Sequence, residues 1–390
     1  MLSVNRTARK GLIWLLMVLF PILLAACVQG AGPAGKPVKS DRTGAAKVAL
    51  LVPAGSGNAS EEQLAQSLEN AARLAMRDMK GVNIDLKVYN TSGNAAQAQA
   101  AAIRAADEGA EIILGPVFAG SANAAGVAVA RRGINVLAFS NNPEIAGGNV
   151  FILGQTFGDT ARRLSAYAVQ HDKRRIMAVY EMNTAGELGR AAIQRGVSAA
   201  GGTLVASSGY EFSQNGVMRA APEIVRIARE AGAEALFLTA DTAGALPLLS
   251  QLLVENGLAP SEYRLIGLTR WDVPPQTASL PGIQGGWFAI PDPNLQAQFQ
   301  SRYQAAYGAS PHPIAGLAYD GMAAIGALVR QGSDLSARSL TQGKGFAGVS
   351  GIFRLYANGT NQRGLAIAEI RNYSVVVIDP APRSFSGAGL

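Results

Sequence analysis

The sequence is poor in the side chains from which most catalytic centres are built. It holds one cysteine and two histidines in 390 residues. A lone cysteine excludes an internal disulfide framework, and a chain of this length buries enough core to do without one. His171 lies in QHDKRR and His312 between two prolines, and both read as surface positions. No further histidine or free thiol can join either of them, so no metal site is expected. No G-x-S-x-G elbow occurs. Carboxylates are few and scattered, and no paired acid–base site is visible. The chain therefore reads as a non-enzyme that needs no cofactor. Charge is also scarce, at 16% of residues, with Lys+Arg 34 against Asp+Glu 27 and a net +7. Arg6, Arg9 and Lys10 belong to a leader, and without them 31 stand against 27, or +4. With no basic stripe and no interleaved aromatics, nucleic acid is not an expected partner.

What is present begins with that leader. Residues 1–10 are basic without an acidic residue, residues 11–24 are almost wholly apolar, and Leu24-Ala25-Ala26-Cys27 closes the run. This is the pattern of a signal peptide over residues 1–26 with lipidation at Cys27. The apolar run falls short of the ~20 residues that a spanning helix needs. Val28 follows the cysteine where an aspartate would favour retention in the inner membrane. The expected place is thus the periplasmic face of a membrane, more in keeping with the outer one. Residues 27–46 are rich in Gly, Ala, Pro and Lys and read as a flexible tether.

From residue 47 onward, apolar runs of strand length alternate with helical patterns. Residues 47–53 are a buried strand. A helix follows with Ser60 and Gln63 as a capping box and with Leu64, Leu68, Ala71, Ala72, Ala75, Met76 and Met79 on one face. The string GSGNAS before it is not a dinucleotide loop, because its third glycine is replaced by Ser60 and the next strand ends in Asn90-Thr91. Strands are expected at 84–89, 111–114, 135–139, 150–153, 175–180, 203–207, 235–238 and 264–268. Helices are expected at 95–108, 159–170, 186–200, 222–231 and 246–255. Alternation over about 330 residues is long for one doubly wound sheet and points to two lobes. At the centre stands EIILGPVFAGSANAAGVAVARRGINVLAFSNN, residues 111–142. It reads as strand, Gly115-Pro116, helix, Gly133, then a strand ending in Ser140-Asn141-Asn142. That is a βαβ unit, and the crevice of such a sheet lies beyond the carboxyl ends of its strands.

This stretch resembles the type I periplasmic-binding-protein fold, and its wording is similar to the branch of lipoprotein activators of penicillin-binding proteins. The resemblance continues through LPGIQGGWFAIPDP at 280–293, GLAYDGMAAIGALV at 316–329 and FAGVSGIFRL at 346–355 with Asn358-Gly359, and residues 366–370 are the last strand. It implies an α/β fold of two lobes, each a doubly wound, mostly parallel sheet with helices on both faces. The lobes would be residues 47–155 with 280–362, and 156–279 with 363–378. Residues 379–390 would be a disordered tail. The crevice walls would include Ser56, Gly115, Pro116, Ser121, Ser140, Asn141 and Asn142 on one side. Glu181, Asp241, Arg270, Trp271 and Asp272 would lie on the other. Ser121 would turn its hydroxyl or N–H into the gap, and Trp271 would be an aromatic wall. The amino-acid grip of such receptors is not recognisable, since Ala185-Gly186 stands where an aromatic is usual. The resemblance therefore implies first a regulator of a class A penicillin-binding protein, anchored in the membrane by lipid on Cys27. The alternative is a receptor that passes a small molecule, such as a branched-chain amino acid, to an ABC permease.

The leader carries its own test. Cys27→Ser is expected to abolish lipidation and release the protein from the membrane fraction or leave it unprocessed. Mass spectrometry and fractionation check this, and unchanged mass with unchanged fractionation would contradict it.

Overall fold

The computed structural model describes residues 44–385. The expected signal peptide, Cys27, most of the tether and residues 386–390 of the tail lie outside these. The first lobe opens with β1 (Ala46–Val52), α1 (Ala59–Asp78), β2 (Ile84–Asn90) and α2 (Ala95–Asp107). It continues with β3 (Ile112–Leu114), α3 (Ala119–Val129), β4 (Asn135–Ala138) and β5 (Val150–Ile152). These strands form a parallel sheet in the order β2-β1-β3-β4-β5. A parallel sheet must be covered on both faces. Leu64, Leu68 and Ala72 of α1 help to cover one face, while the other is covered by Ala101, Ala102 and Ala105 of α2 with Ala122 and Ala125 of α3.

The cap of α1 differs from expectation. Asn58 has the extended backbone of an N-cap, and its side-chain oxygen accepts the N–H groups of Ser60 and Glu61. Ser60 already lies inside the helix, so it cannot cap it.

The second sheet is built from β6 (Arg175–Glu181), β7 (Thr203–Tyr210), β8 (Ala235–Leu238), β9 (Arg264–Gly267) and β10 (Trp287–Ile290). Between its strands run α4 (Phe157–Gln170), which precedes β6, then α5 (Thr184–Ala199), α6 (Gln214–Glu230) and α7 (Leu246–Glu255). The helix expected from Pro222 starts two turns earlier, because Ser213 caps it through the N–H of Gly216. Pro222 lies in its interior.

The chain then builds α8 (Pro293–Tyr307), α9 (Gly316–Arg330) and α10 (Ala337–Leu340). It ends with a small antiparallel sheet of β11 (Phe346–Gly348), β12 (Gly351–Leu355) and β13 (Asn361–Arg363), followed by β14 (Ala366–Arg371) and β15 (Ser374–Asp379). Met322 and Ile325 of α9 pack into the first lobe's core beside α1.

Two expectations at the lobe boundary are corrected. Residues 280–293 do not return the chain to the first lobe. Trp287–Ile290 is buried along its whole length between β9 and β14, where four apolar side chains find cover. The crossing follows at Pro291. The strand at 366–370 is not the last, since β15 pairs antiparallel with β14 and forms the sheet edge. Nor does order end at residue 379. Asp379 accepts an ion pair from Arg163 at 2.7 Å, and Arg354 lies 4.6 Å from the centre of the Phe385 ring.

Among the described residues the chain passes between the large sheets three times, after β5, after β10 and after β13. Asn361 Nδ2 donates to the carbonyls of Ile152 and Gly154 at 2.8 Å, and Arg363 Nε donates to Leu153 O at 2.7 Å. Arg363 also pairs with Asp320 of α9 at 2.9 Å, with both side chains buried. The other oxygen of Asp320 accepts the N–H of Val349 at 2.7 Å. Removing one member of a buried pair leaves an uncompensated charge. Asp320→Ala is expected to cost about 3–5 kcal/mol in urea unfolding, and a loss below about 1 kcal/mol would contradict the role of the pair.

Candidate ligand-binding site

The carboxyl ends of β3, β4 and β9 open onto a cavity of about 620 Å³ between the two large sheets. Val117 and Phe118 come from the loop after β3, Ala119 opens α3, and Leu268, Thr269 and Arg270 follow β9. The first crossing contributes Gln155, Thr156 and Phe157, and Ile314 and Leu317 stand at the start of α9. Gly115 shapes the first loop without lining it. Its φ of +88° suits glycine, and a Cβ there would overlap Leu51 O. Its N–H donates to Leu137 O and Pro116 O accepts from Phe139, which ties the loop to β4.

Among the described residues three helices begin at the cavity wall. Thr156 and Asp159 form a reciprocal capping box at α4. Burial pushes the Asp159 carboxyl above its ordinary range, against the pull of Arg162. The starts of α3 and α9 have no side-chain cap; at α9 the preceding turn takes the Leu317 and Ala318 N–H groups through Ile314 O and Ala315 O, whereas α3 has no such turn before it.

The structure brings some expected residues together and separates others. Ser140, Asn141, Asn142 and Arg270 line the cavity. Ser140 Oγ accepts the Asn142 N–H at 3.1 Å, and Asn142 Oδ1 accepts from Glu144, so part of this polar set serves the turn. Ser56 is exposed in the turn before α1, where it accepts from Asn58. Ser121 does not reach the gap. It is buried on α3, and the wall there is made by Val117 to Ala119 instead. Glu181 takes bonds from Tyr210 and Asn183, and Asp241 caps a turn through the Gly244 N–H. Both lie off the wall. Burial and then the negative charge of Glu181 raise the Tyr210 hydroxyl above its ordinary value.

Trp271 is core, not an aromatic wall. It is fully buried beside Phe288, in a space that Gly267 and Gly286 leave for the indole. Asp272 is held by Arg270 in a two-point pair at 2.9 and 2.5 Å. His312, expected at the surface, is half-buried, and burial holds its imidazole below the ordinary value.

Sequence reasoning missed Gln155, Phe157, Gln296, Leu317 and Arg363, all on the wall. The signal for Arg363 was weak: a lone arginine ahead of a buried strand in NQRGLAIAEI. A second cavity of about 610 Å³ lies beside the first, between α4, α5 and the β12–β13 turn, and shares Asn141, Asn142, Thr156 and Phe157 with it.

The comparisons with known proteins agree with this geometry. The family model described as periplasmic binding protein matches residues 45–374. The chain belongs to that family. No curated protein sequence matches this periplasmic binding protein. Solved structures do. A provisionally assigned branched-chain amino acid ABC transporter from Rhodospirillum rubrum matches with a TM-score of 0.71 and 19% identity, over 86% of this chain and 100% of its own. The leucine-binding protein LivK from Thermotoga maritima MSB8 matches at 0.56 and 18%, over 86% and 98%. An ABC transporter solute-binding protein from R. palustris, in complex with benzoate, matches at 0.56 and 18%, over 89% and 99%. At such identities the likeness speaks for the fold.

The placement of Trp271 makes a prediction. Trp271→Ala is expected to destabilise the protein by about 3–5 kcal/mol in urea unfolding, as a large core truncation does. A cost under about 1 kcal/mol would mean that the indole is not core.

Proposed function

We propose that the protein is a non-catalytic solute receptor, tethered by lipid at Cys27 on the periplasmic side of a membrane, that captures a small molecule between its lobes for an ABC permease. The observation that carries this reading is the cavity at the strand ends. Its volume lies within the range of small-molecule sites, and its wall is largely apolar with a few polar groups. The ABC transporter binding proteins of similar fold support it further.

The order of the two readings from the sequence is thereby reversed. Regulation of a penicillin-binding protein rests on the wording of residues 111–142 and on the missing amino-acid grip. The same missing grip is equally compatible with a receptor for a different solute.

Thermal melting of the purified protein with a millimolar library of amino acids and organic acids tests the proposal. A ligand at a hundred times its Kd adds about 2.7 kcal/mol of stability and a clear rise in Tm. At least one such rise is expected. No rise with any member, together with retention of a class A penicillin-binding protein on the immobilised protein, would restore the regulator.

A further inference from the structure

We propose that the cavity is built for a ligand with a carboxylate on an apolar body and no ammonium group. This rests on the receptor reading and narrows it to a chemical class.

The charge of the wall comes first. It carries two arginines and, among the described residues, no acidic side chain. Arg270 is matched by its two-point pair with Asp272. Arg363 is not fully matched. It is only 5% exposed, its Nε donates to Leu153 O and its Nη1 to Asp320, its guanidinium stands over the Phe353 ring at 5.1 Å, and its buried Nη2 has no hydrogen-bond partner among the described residues. A buried charged donor without an acceptor is costly, and an arriving carboxylate would relieve that cost. Asp320 does not cancel the vacancy, because its other oxygen is taken by the N–H groups of Val349 and Ser350.

Two further sources of positive potential meet the same space. The start of α3, which has no side-chain cap, stands at the wall with Ala119, and the dipole of α9 points its positive end there with Gly316, although the N–H groups of Leu317 and Ala318 already donate to Ile314 O and Ala315 O. Helix starts alone would not define a site, but here they converge with a buried, unpartnered guanidinium nitrogen.

The apolar body follows from the remaining wall. Phe118, Phe139, Phe157, Leu268, Ile314 and Leu317 offer aromatic and branched surface. An ammonium has no carboxylate to pair with on that wall. Glu181 and Asp241 lie off the wall and hold other donors, and Asp272 holds Arg270. Both guanidinium groups are already paired with aspartates, so an ammonium buried in this partly dry space would have no carboxylate left to balance it, which is unfavourable.

Isothermal calorimetry on the purified full-length protein in detergent tests this with four probes: 4-methylpentanoate, leucine, 3-methylbutylamine and benzoate. The first three share a branched body and differ in the head group. At least one of the two carboxylates without an amine is expected to bind about tenfold or more tighter than leucine, and the amine is expected to give no heat. Leucine binding as tightly as 4-methylpentanoate, or any binding of the amine, overturns the inference and leaves the receptor reading standing. Silence from all four overturns the inference, and the receptor reading is then decided by the melting library. Arg363→Lys, which keeps a positive charge and loses the forked donor, is expected to weaken the carboxylate about tenfold. Leu317→Trp leaves the Asp320 pair intact and fills the cavity from α9, so it keeps the site testable if the first variant does not fold. It is expected to abolish the heat, and carboxylate binding that survives it places the ligand elsewhere and overturns the proposal.

Discussion

The buried pair of Arg363 and Asp320 is the constraint on which the rest of the architecture leans. It sits where the chain leaves the small antiparallel sheet for the second lobe, and it joins that exit to α9 of the first lobe. Burying two charges is expensive, and the cost is offset only when every remaining lone pair and proton finds a partner. Here the carboxylate is fully served by Arg363 and two backbone N–H groups, whereas the guanidinium keeps one nitrogen unserved. The member of that pair that lines the cavity, Arg363, therefore keeps a buried donor without a hydrogen-bond partner. Structure and recognition meet in one side chain.

Around that point the two sheets supply rigidity. Each is covered on both faces by helices, and in the first lobe α1 on one face and the alanine-rich α2 and α3 on the other leave β3 and β4 wholly buried, and β1 buried except at Lys47. Loops emerging from such strands are held by short backbone bonds, as the Gly115–Leu137 and Phe139–Pro116 bonds illustrate. A wall of this kind is largely formed before a guest arrives, which lowers the ordering cost of binding.

Much of the fold was legible because period and burial agree. The strands at 235–238 and the helix at 246–255 emerge with the bounds read from the sequence, since their apolar runs are bounded by clear stops. Errors arose where a partner distant in sequence decides. The run WFAI is equally apolar in either lobe, and only its pairing with β9 and β14 fixes its place. SVVVID shows an irregular pattern because β15 is an edge strand with Val375 and Val377 exposed. The site was less legible than the fold. Ser140 and Arg270 were visible from their places at strand ends, but Trp271 was drawn inward by Phe288 and by two glycines that no local pattern connects. Arg363 acquires its role from Asp320, 43 residues away, and nothing in its neighbourhood announces that pairing.

The central claim is that the space between the lobes is a binding site whose electrostatic centre is Arg363. A crystal structure of the protein grown with 4-methylpentanoate addresses it most directly. The account predicts density for the ligand in the cavity beyond β3, β4 and β9, with a carboxylate oxygen within hydrogen-bond distance of Arg363 Nη2. Density that fills the second cavity instead, or a carboxylate seated on Ser140 and Asn141 with Nη2 still unpartnered, would contradict it.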